Sequence, residues 1–217
     1  MAALHRDHSV HIEGKNVLDI GSGSGVYAVA MLAAGAGQVT ALDINPAAAE
    51  VTAENARRNG LDSGRLTCVT GDLADFQPDR RFDLVVANPP HLPYDDRYSG
   101  HGGLETALVG GADGRLLYDL LVSRADDLLG EDGVMIVAHS SLADIARTID
   151  DMSARGFVHQ TIEVCEMDIP LVRYAEHRET VLARLAVLRE LGCASFDGKR
   201  FWVNVLAFSR SHRSGTR

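Results

Sequence analysis

Asp19-Ile20-Gly21-Ser22-Gly23-Ser24-Gly25 places an acid ahead of glycines at every second position. Glycine adopts positive φ at low cost and lets a backbone come close to a ligand. Amides in such a turn point outward at the end of a strand, where ligands of doubly wound sheets bind. The pattern D-x-G-x-G-x-G is not the G-x-G-x-x-G of dinucleotide binders. An acid before the first glycine suits a cationic ligand end better than a pyrophosphate, although a buried structural carboxylate would look the same. Asp43 ends the next apolar run, and a carboxylate there can accept both hydroxyls of a ribose. It also suits a helix cap ahead of Pro46. Gly71-Asp72-Leu73 closes a third run, where Asp72 fits either the amine of a purine or an ordinary turn.

Asn88-Pro89-Pro90-His91 is the second chemical cluster. Two prolines lock φ and hold the chain extended. The Asn88 side chain and the Pro89 carbonyl then offer two acceptors side by side. A planar nitrogen with two hydrogens, in an amide or an exocyclic amine, can donate to both, and its out-of-plane electron density then faces an electrophile in line. Orientation and electrostatic fit suffice for such a transfer, without a strong base. His91 can stack on a planar group and can relay a proton near neutral pH. Pro90, Tyr94 and Tyr98 are candidate substrate contacts, the tyrosines fitting stacking and loop packing equally. His139 is another, with Arg173, Tyr174 and His177 meeting it at the pocket mouth if the late helical segment is a lid. His5, His8 and His11 fit a loose start of the chain, closure over the ligand, or a metal.

Alternating apolar runs and helical stripes position these residues. Strands are expected at Asn16–Ile20, Gln38–Asp43, Arg65–Thr70, Phe82–Ala87, Val134–Ala138, Phe157–Cys165 and Phe201–Phe208. Helices are expected at Gly25–Ala34, Pro46–Asn59 and Asp113–Leu129, and after a capping-box-like Ser141 and Asp144. This alternation implies right-handed βαβ units: an α/β, Rossmann-like, doubly wound, seven-stranded, mostly parallel sheet. A helix over Ala175–Leu191, with Val181, Leu182, Leu185 and Leu188 on one face, makes an insertion at about 168–199 between the sixth and seventh strands, read as either an edge helix or a lid. The loop from Asn88 to about Gly111 is long, as functional loops often are. One domain over 1–217 is expected, with an N-terminal segment 1–14 and a tail 211–217.

The 217 residues carry a net charge of −9, which works against a partner gripped through many phosphates. Lys199, Arg200, Arg210, Arg213 and Arg217 leave room for a local basic patch or a solvated tail. No apolar run reaches the roughly 18 residues of a membrane span. Met1 to Val10 lacks the apolar core of a signal peptide, so a cytoplasmic protein is expected. Cys68, Cys165 and Cys193 are widely spaced, which predicts neither a disulfide framework nor a metal site.

VLDIGSGSG, ALDIN and GDL, in this order and spacing, resemble the motifs of class I methyltransferases that use S-adenosylmethionine (SAM). The resemblance implies SAM as cofactor and S-adenosylhomocysteine (SAH) as product. Asp19, Gly21, Ser22, Gly23 and Gly25 would line the methionine part, Asp43 and Ile44 the ribose, Asp72 and Leu73 the adenine, with Asn88 reaching the methyl. N-P-P-H resembles the N-P-P-Y of N-methyltransferases acting on glutamine amides or bases, with His91 where an aromatic is usual. Glu105 to Gly114, followed by Tyr118, resembles the segment after N-P-P-Y in release-factor glutamine methyltransferases of the HemK type. About 15 residues precede the first expected strand, leaving no counterpart of that family's N-terminal helical domain. Ala138-His139-Ser140 stands where the family has an acid, and the late helix has no counterpart. The expected function is N-methylation of a small molecule, peptide or protein, ahead of methylation of an RNA base or another use of SAM. Asn88, Pro89 and His91 are the expected catalytic set.

Overall fold

Four apolar runs near the start of the chain, β1 (Asn16–Ile20), β2 (Gln38–Asp43), β3 (Leu66–Thr70) and β4 (Phe82–Ala87), are strands at or within one residue of the expected bounds. The computed structural model describes residues 11–61, 63–94, 110–169 and 178–211. The helices in chain order are α1 (Val26–Ala33), α2 (Pro46–Arg58), α3 (Leu116–Leu128), α4 (Ile145–Ala154) and α5 (Arg178–Glu190). The remaining strands are β5 (Leu129–Ser140), β6 (Phe157–Asp168), β7 (Phe196–Asp197) and β8 (Arg200–Arg210).

The sheet order is β3-β2-β1-β4-β5-β8-β6, a path of seven strands, with the two-residue β7 paired to β8 outside it. Strands β1 to β5 run parallel, while β8 is antiparallel to both β5 and β6. The strand order reverses at β1, which pairs with β2 on one side and β4 on the other. Ligands of open α/β sheets bind beyond the carboxyl ends of the strands at such a switch point. Asp19, near the end of β1, and Asn88, just after β4, both lie there.

Side chains of a strand alternate between faces, and both faces are covered. Val17, Val39, Leu84, Val86 and Ile136 pack under Ala28, Met31 and Leu32 of α1. Leu18, Val85, Met135 and Val137 pack on the other face under Tyr118, Leu121, Ala125 and Leu128 of α3 and Met152 of α4. Among the described residues, no helix is long and apolar enough to cross a membrane.

Helix α3 starts at Leu116 rather than Asp113, β8 runs over Arg200–Arg210 rather than Phe201–Phe208, and the short β7 is additional. Three further differences have a physical reason. Strand β5 starts at Leu129 rather than Val134, with a register shift opposite Phe82–Leu84. Glycine permits the irregularity, since a Cβ at Gly133 would lie 2.9 Å from the Phe82 carbonyl oxygen. Strand β6 runs on to Asp168, where the polar pair Asp168–Arg200 continues the ladder after the apolar pattern has ended. Helix α4 is capped by Asp144, which sits at φ 46 and accepts from the Arg147 amide. Ser141 is not part of that cap: its hydroxyl donates to the Ser195 carbonyl at 2.6 Å and accepts from the Trp202 amide at 3.0 Å.

Candidate functional site

The glycine turn after β1 is held from two sides. The Gly21 and Ser22 amides donate to the Leu42 carbonyl at 2.8 and 3.2 Å, and the Gly23 amide donates to Asp43 Oδ2 at 2.7 Å. From α2, Thr52 Oγ1 donates to the Gly23 carbonyl at 3.4 Å and Asn55 Nδ2 to the Ser24 carbonyl at 2.8 Å. Gly21 and Gly23 have φ 69 and 52, and a Cβ on either would meet nothing closer than 4.0 Å, so this stretch of backbone opens onto free space. Gly25 has a different reason to be glycine. At φ 77, a Cβ there would lie 2.7 Å from Thr52 Cγ2 and Oγ1. Glycine there serves the close contact between the turn and α2.

Asp43 is not a helix cap. Its Oδ1 accepts from the Asn45 amide at 2.8 Å, while Asn45 caps α2 by accepting from the Ala47 amide at 3.1 Å. Each Asp43 oxygen keeps a lone pair beyond its bond to a backbone amide, so the carboxylate can still receive two ribose hydroxyls. Asp72 Oδ1 accepts from the Ala74 amide at 2.8 Å, the turn pattern expected as one alternative. The residue is nonetheless exposed, beside a buried Leu73. Ile44 is exposed and Ser22 is buried at the turn.

Asp19 is 0% exposed. Its Oδ2 accepts from the Ala28 amide at 2.9 Å and so caps α1, whose N-cap Gly25 has no side chain. Its Oδ1 is the buried side-chain atom without a hydrogen-bond partner among the described residues. Burial pushes its pKa up to about 7, offset in part by the Ala28 bond and reinforced by nearby Asp43. An unpartnered buried carboxylate oxygen is costly unless it meets a donor or a cation. An ammonium is the complement it lacks, so the residues present fit the methionine end of SAM.

On the acceptor side, Asn88 is exposed at the end of β4, and its amide has no partner among the described residues. Pro89 is buried, and its carbonyl lies 3.2 Å from His91 Nδ1. A carbonyl only accepts, so this bond assigns the proton to Nδ1 and leaves Nε2 with a lone pair. Burial lowers the His91 pKa and favours the neutral ring. The ring centroid is 5.4 Å from that of Phe201, with the planes tilted at 44°. His91 therefore packs against Phe201 and steadies Pro89, a role beside the stacking and proton relay expected of it.

The segment that follows β4 is clamped by the turn 110–114. The Gly110 amide donates to the Leu92 carbonyl at 2.9 Å and the Tyr94 amide to the Gly111 carbonyl at 2.8 Å. Side chains are excluded there, because a Cβ would sit 2.7 Å from the Pro90 oxygen at Gly110 and 2.5 Å from the His91 oxygen at Gly114. Pro90 is half-buried. From α5, Arg184 Nε donates to the Ala112 carbonyl at 2.8 Å. Val181, Leu185 and Leu188 of α5 pack on Leu92, Tyr94 and Phe201.

Two expected substrate contacts lie elsewhere. Tyr94 is 5% exposed within that apolar cluster, so it packs under α5. His139 is 0% exposed, and its ring lies flat on Tyr118 at 3.8 Å. His139 Nδ1 is 3.1 Å from the Ser140 carbonyl and its Nε2 is 2.8 Å from Thr148 Oγ1. Burial pushes its pKa down to about 3. It is a satisfied core histidine. The partner that completes this network, Arg115, is 2% exposed and donates to the Ala143 and Asp144 carbonyls, Asp119 and Thr148. Only the i, i+4 spacing of Arg115 and Asp119 hints at it in the sequence. Tyr98, His5, His8, Arg173, Tyr174 and His177 lie outside the described residues; His11 is exposed ahead of β1, away from the carboxyl ends.

Comparison with known proteins places this geometry in a family. The family model of the ribosomal protein L11 methyltransferases matches residues 3–89. A protein of Methanocaldococcus jannaschii, provisionally assigned as a protein N5-glutamine methyltransferase, is 32% identical over 148 residues, 68% of this chain and 73% of that one. The release factor glutamine methyltransferase of Geobacter sulfurreducens is 37% identical over 127 residues, covering 56% of this chain and 44% of its own length. The match thus spans less than half of the Geobacter enzyme. Among solved structures, the ribosomal protein L11 methylase of Lactobacillus delbrueckii subsp. bulgaricus superposes with a TM-score of 0.56 at 23% identity, over 98% of this chain and 76% of that one. A methyltransferase-like structure complexed with SAH gives a TM-score of 0.58 at 14% identity, over 90% of this chain and 46% of that one. These structures share the fold. The chain belongs to the class I SAM-dependent methyltransferases, in the HemK-type family that includes the protein N5-glutamine methyltransferases.

Proposed function

We propose that this enzyme methylates the side-chain amide nitrogen of a glutamine in a protein or peptide met in the cytoplasm. The observation that carries the reading is the pair of acceptors after β4: an exposed Asn88 amide, with no partner among the described residues, next to a Pro89 carbonyl fixed by His91. A primary amide brings two hydrogens in one plane. Asn88 Oδ1 takes one and the Pro89 carbonyl takes the other, which turns the electron density of the nitrogen out of that plane. SAM, when bound, supplies a methyl group on a sulfonium. A nitrogen taking up that methyl from the sulfonium would become more positive, and the Asn88 and Pro89 acceptors would favour that change. One of the two N–H protons then passes to solvent, to which the exposed Asn88 end of the site opens.

The other residues orient and shield. Asp19 would receive the ammonium, Asp43 the ribose hydroxyls, and Gly21 and Gly23 the close approach of the ligand to backbone. His91 holds the Pro89 carbonyl in position with its Nδ1 proton, and as a neutral ring it adds no charge to repel the sulfonium. The whole chain is read as one domain, with α5 the part of the late insertion that braces the acceptor segment.

The test is Asn88→Ala, assayed with glutamine-containing peptides. Turnover is expected to fall on the order of 10²-fold, as when a preorganised transition-state contact is lost, while SAM affinity stays within about threefold. Unchanged turnover with SAM still bound would refute the role of Asn88.

A further inference from the structure

The segment from Gly71 to Phe76 leaves β3 without joining a helix or strand. Its amides are used locally. Gly71 donates to the Asp43 carbonyl at 2.9 Å, Ala74 to Asp72 Oδ1 at 2.8 Å, and Asp75 and Phe76 to the Asp72 carbonyl at 3.1 and 3.0 Å. Its carbonyls turn instead to one side chain on α3. Arg124 Nη1 donates to the Leu73 carbonyl at 2.6 Å and the Ala74 carbonyl at 3.0 Å, and Nη2 donates to the Phe76 carbonyl at 2.6 Å. The Arg124 side chain is 11% exposed, with Asp127 at 3.4 Å as its ion-pair partner. Carbonyls partly withdrawn from water are satisfied by such donors. A rigid planar guanidinium can serve several diverging ones at once, whereas a lysine ammonium is a single point of charge on a flexible stem.

We propose that Arg124 is a positioning residue for the adenine side of the cofactor site. It sets the path of the backbone that buries Leu73 and displays Asp72, and thereby decides which purine the pocket accepts. This rests on the reading of Asp72 and Leu73 as the adenine contacts. An arginine that merely held α3 to this segment would affect stability and leave ligand selectivity alone. A positioning arginine changes selectivity itself, because Asp72 recognises the purine amine only from a fixed distance and direction.

The experiment compares two ligands on the full chain by calorimetry: SAH, and its inosyl analogue, in which the purine amine is replaced by a carbonyl. Wild type is expected to prefer SAH by about tenfold or more, the scale of one hydrogen bond to a charged group. Arg124→Gln is expected to bring the preference within about threefold, and Arg124→Lys to fall between. Both variants should raise KM for SAM more than they lower kcat. If wild type prefers SAH and Arg124→Gln keeps that preference, the arginine only holds the fold and the proposal is wrong. If wild type does not distinguish the two ligands, the adenine reading of Asp72 fails and takes the proposal with it. Should Arg124→Gln not fold, Arg124→Lys decides between the same outcomes.

Discussion

At Asp19 the two carboxylate oxygens do different things. Oδ2 caps α1, and Oδ1 has no hydrogen-bond partner among the described residues. The carboxyl binds its proton more tightly in the folded chain, with a pKa of about 7 against an ordinary 3.8. Its contribution to stability is therefore fully present at low pH and is lost as pH rises from about 4 to about 7. Binding of an ammonium favours the ionised form, so SAM affinity should weaken as pH falls below 7, by up to about tenfold per pH unit. Calorimetry from pH 7.5 to 5.5 checks this, and Asp19→Asn should flatten the profile. His139 works with the opposite sign. Its pKa falls to about 3 from 6.5, so its contribution to stability is present above pH 6.5 and is lost as pH falls toward 3. Urea midpoints measured across that range should drop less in His139→Phe than in wild type. The acid ahead of spaced glycines marked Asp19 in the sequence as a carboxylate at the turn, and the fold adds its burial and its bond to the Ala28 amide. Tyr94 was misplaced because α5, which covers it, lies far along the chain, and His139 because its stack on Tyr118 and its bond to Thr148 form only when α3 and α4 pack on β5.

At the scale of elements, the strands around the switch point were readable nearly to the residue, since each is a short apolar run buried on both faces. Strands β5 and β6 were not, because their ladders continue past the apolar pattern through Gly133 and through the polar pair Asp168–Arg200. The turn 110–114 was visible as a motif, but its purpose was not. It presses on the backbone of Pro90 and His91 where only glycine fits. Gly114→Ala should therefore cost turnover at least tenfold while SAM affinity changes little, since the turn touches the acceptor segment and not the glycine loop. The strained φ of 78 adds a stability cost of about 1–3 kcal/mol. Steady-state kinetics beside calorimetry separates the two effects. An equal loss of SAM affinity would show that the clamp does not act on the acceptor side alone.

For the whole molecule, magnitudes rank what holds the site together. Asp126 binds Arg155 at 3.0 Å and also Arg210, joining α3 to the end of α4 and to β8. These groups are more than a third exposed, so each pair contributes about 0.2–1 kcal/mol. Leu18, 0% exposed beneath α3, should cost about 2–5 kcal/mol as Leu18→Ala. Urea denaturation of Asp126→Ala and Leu18→Ala tests that order. Core packing on both sheet faces therefore fixes the distance between the donor turn after β1 and the acceptor pair after β4, and the surface charges trim it. In the proposed reaction, that distance would align a planar amide with the methyl of SAM. The most direct measurement is fragmentation mass spectrometry of a glutamine-containing peptide incubated with SAM and the wild-type chain. One added methyl on the glutamine side-chain nitrogen, lost with Asn88→Ala, is the predicted result. A methyl on any other atom, or one that survives Asn88→Ala unchanged, would contradict it.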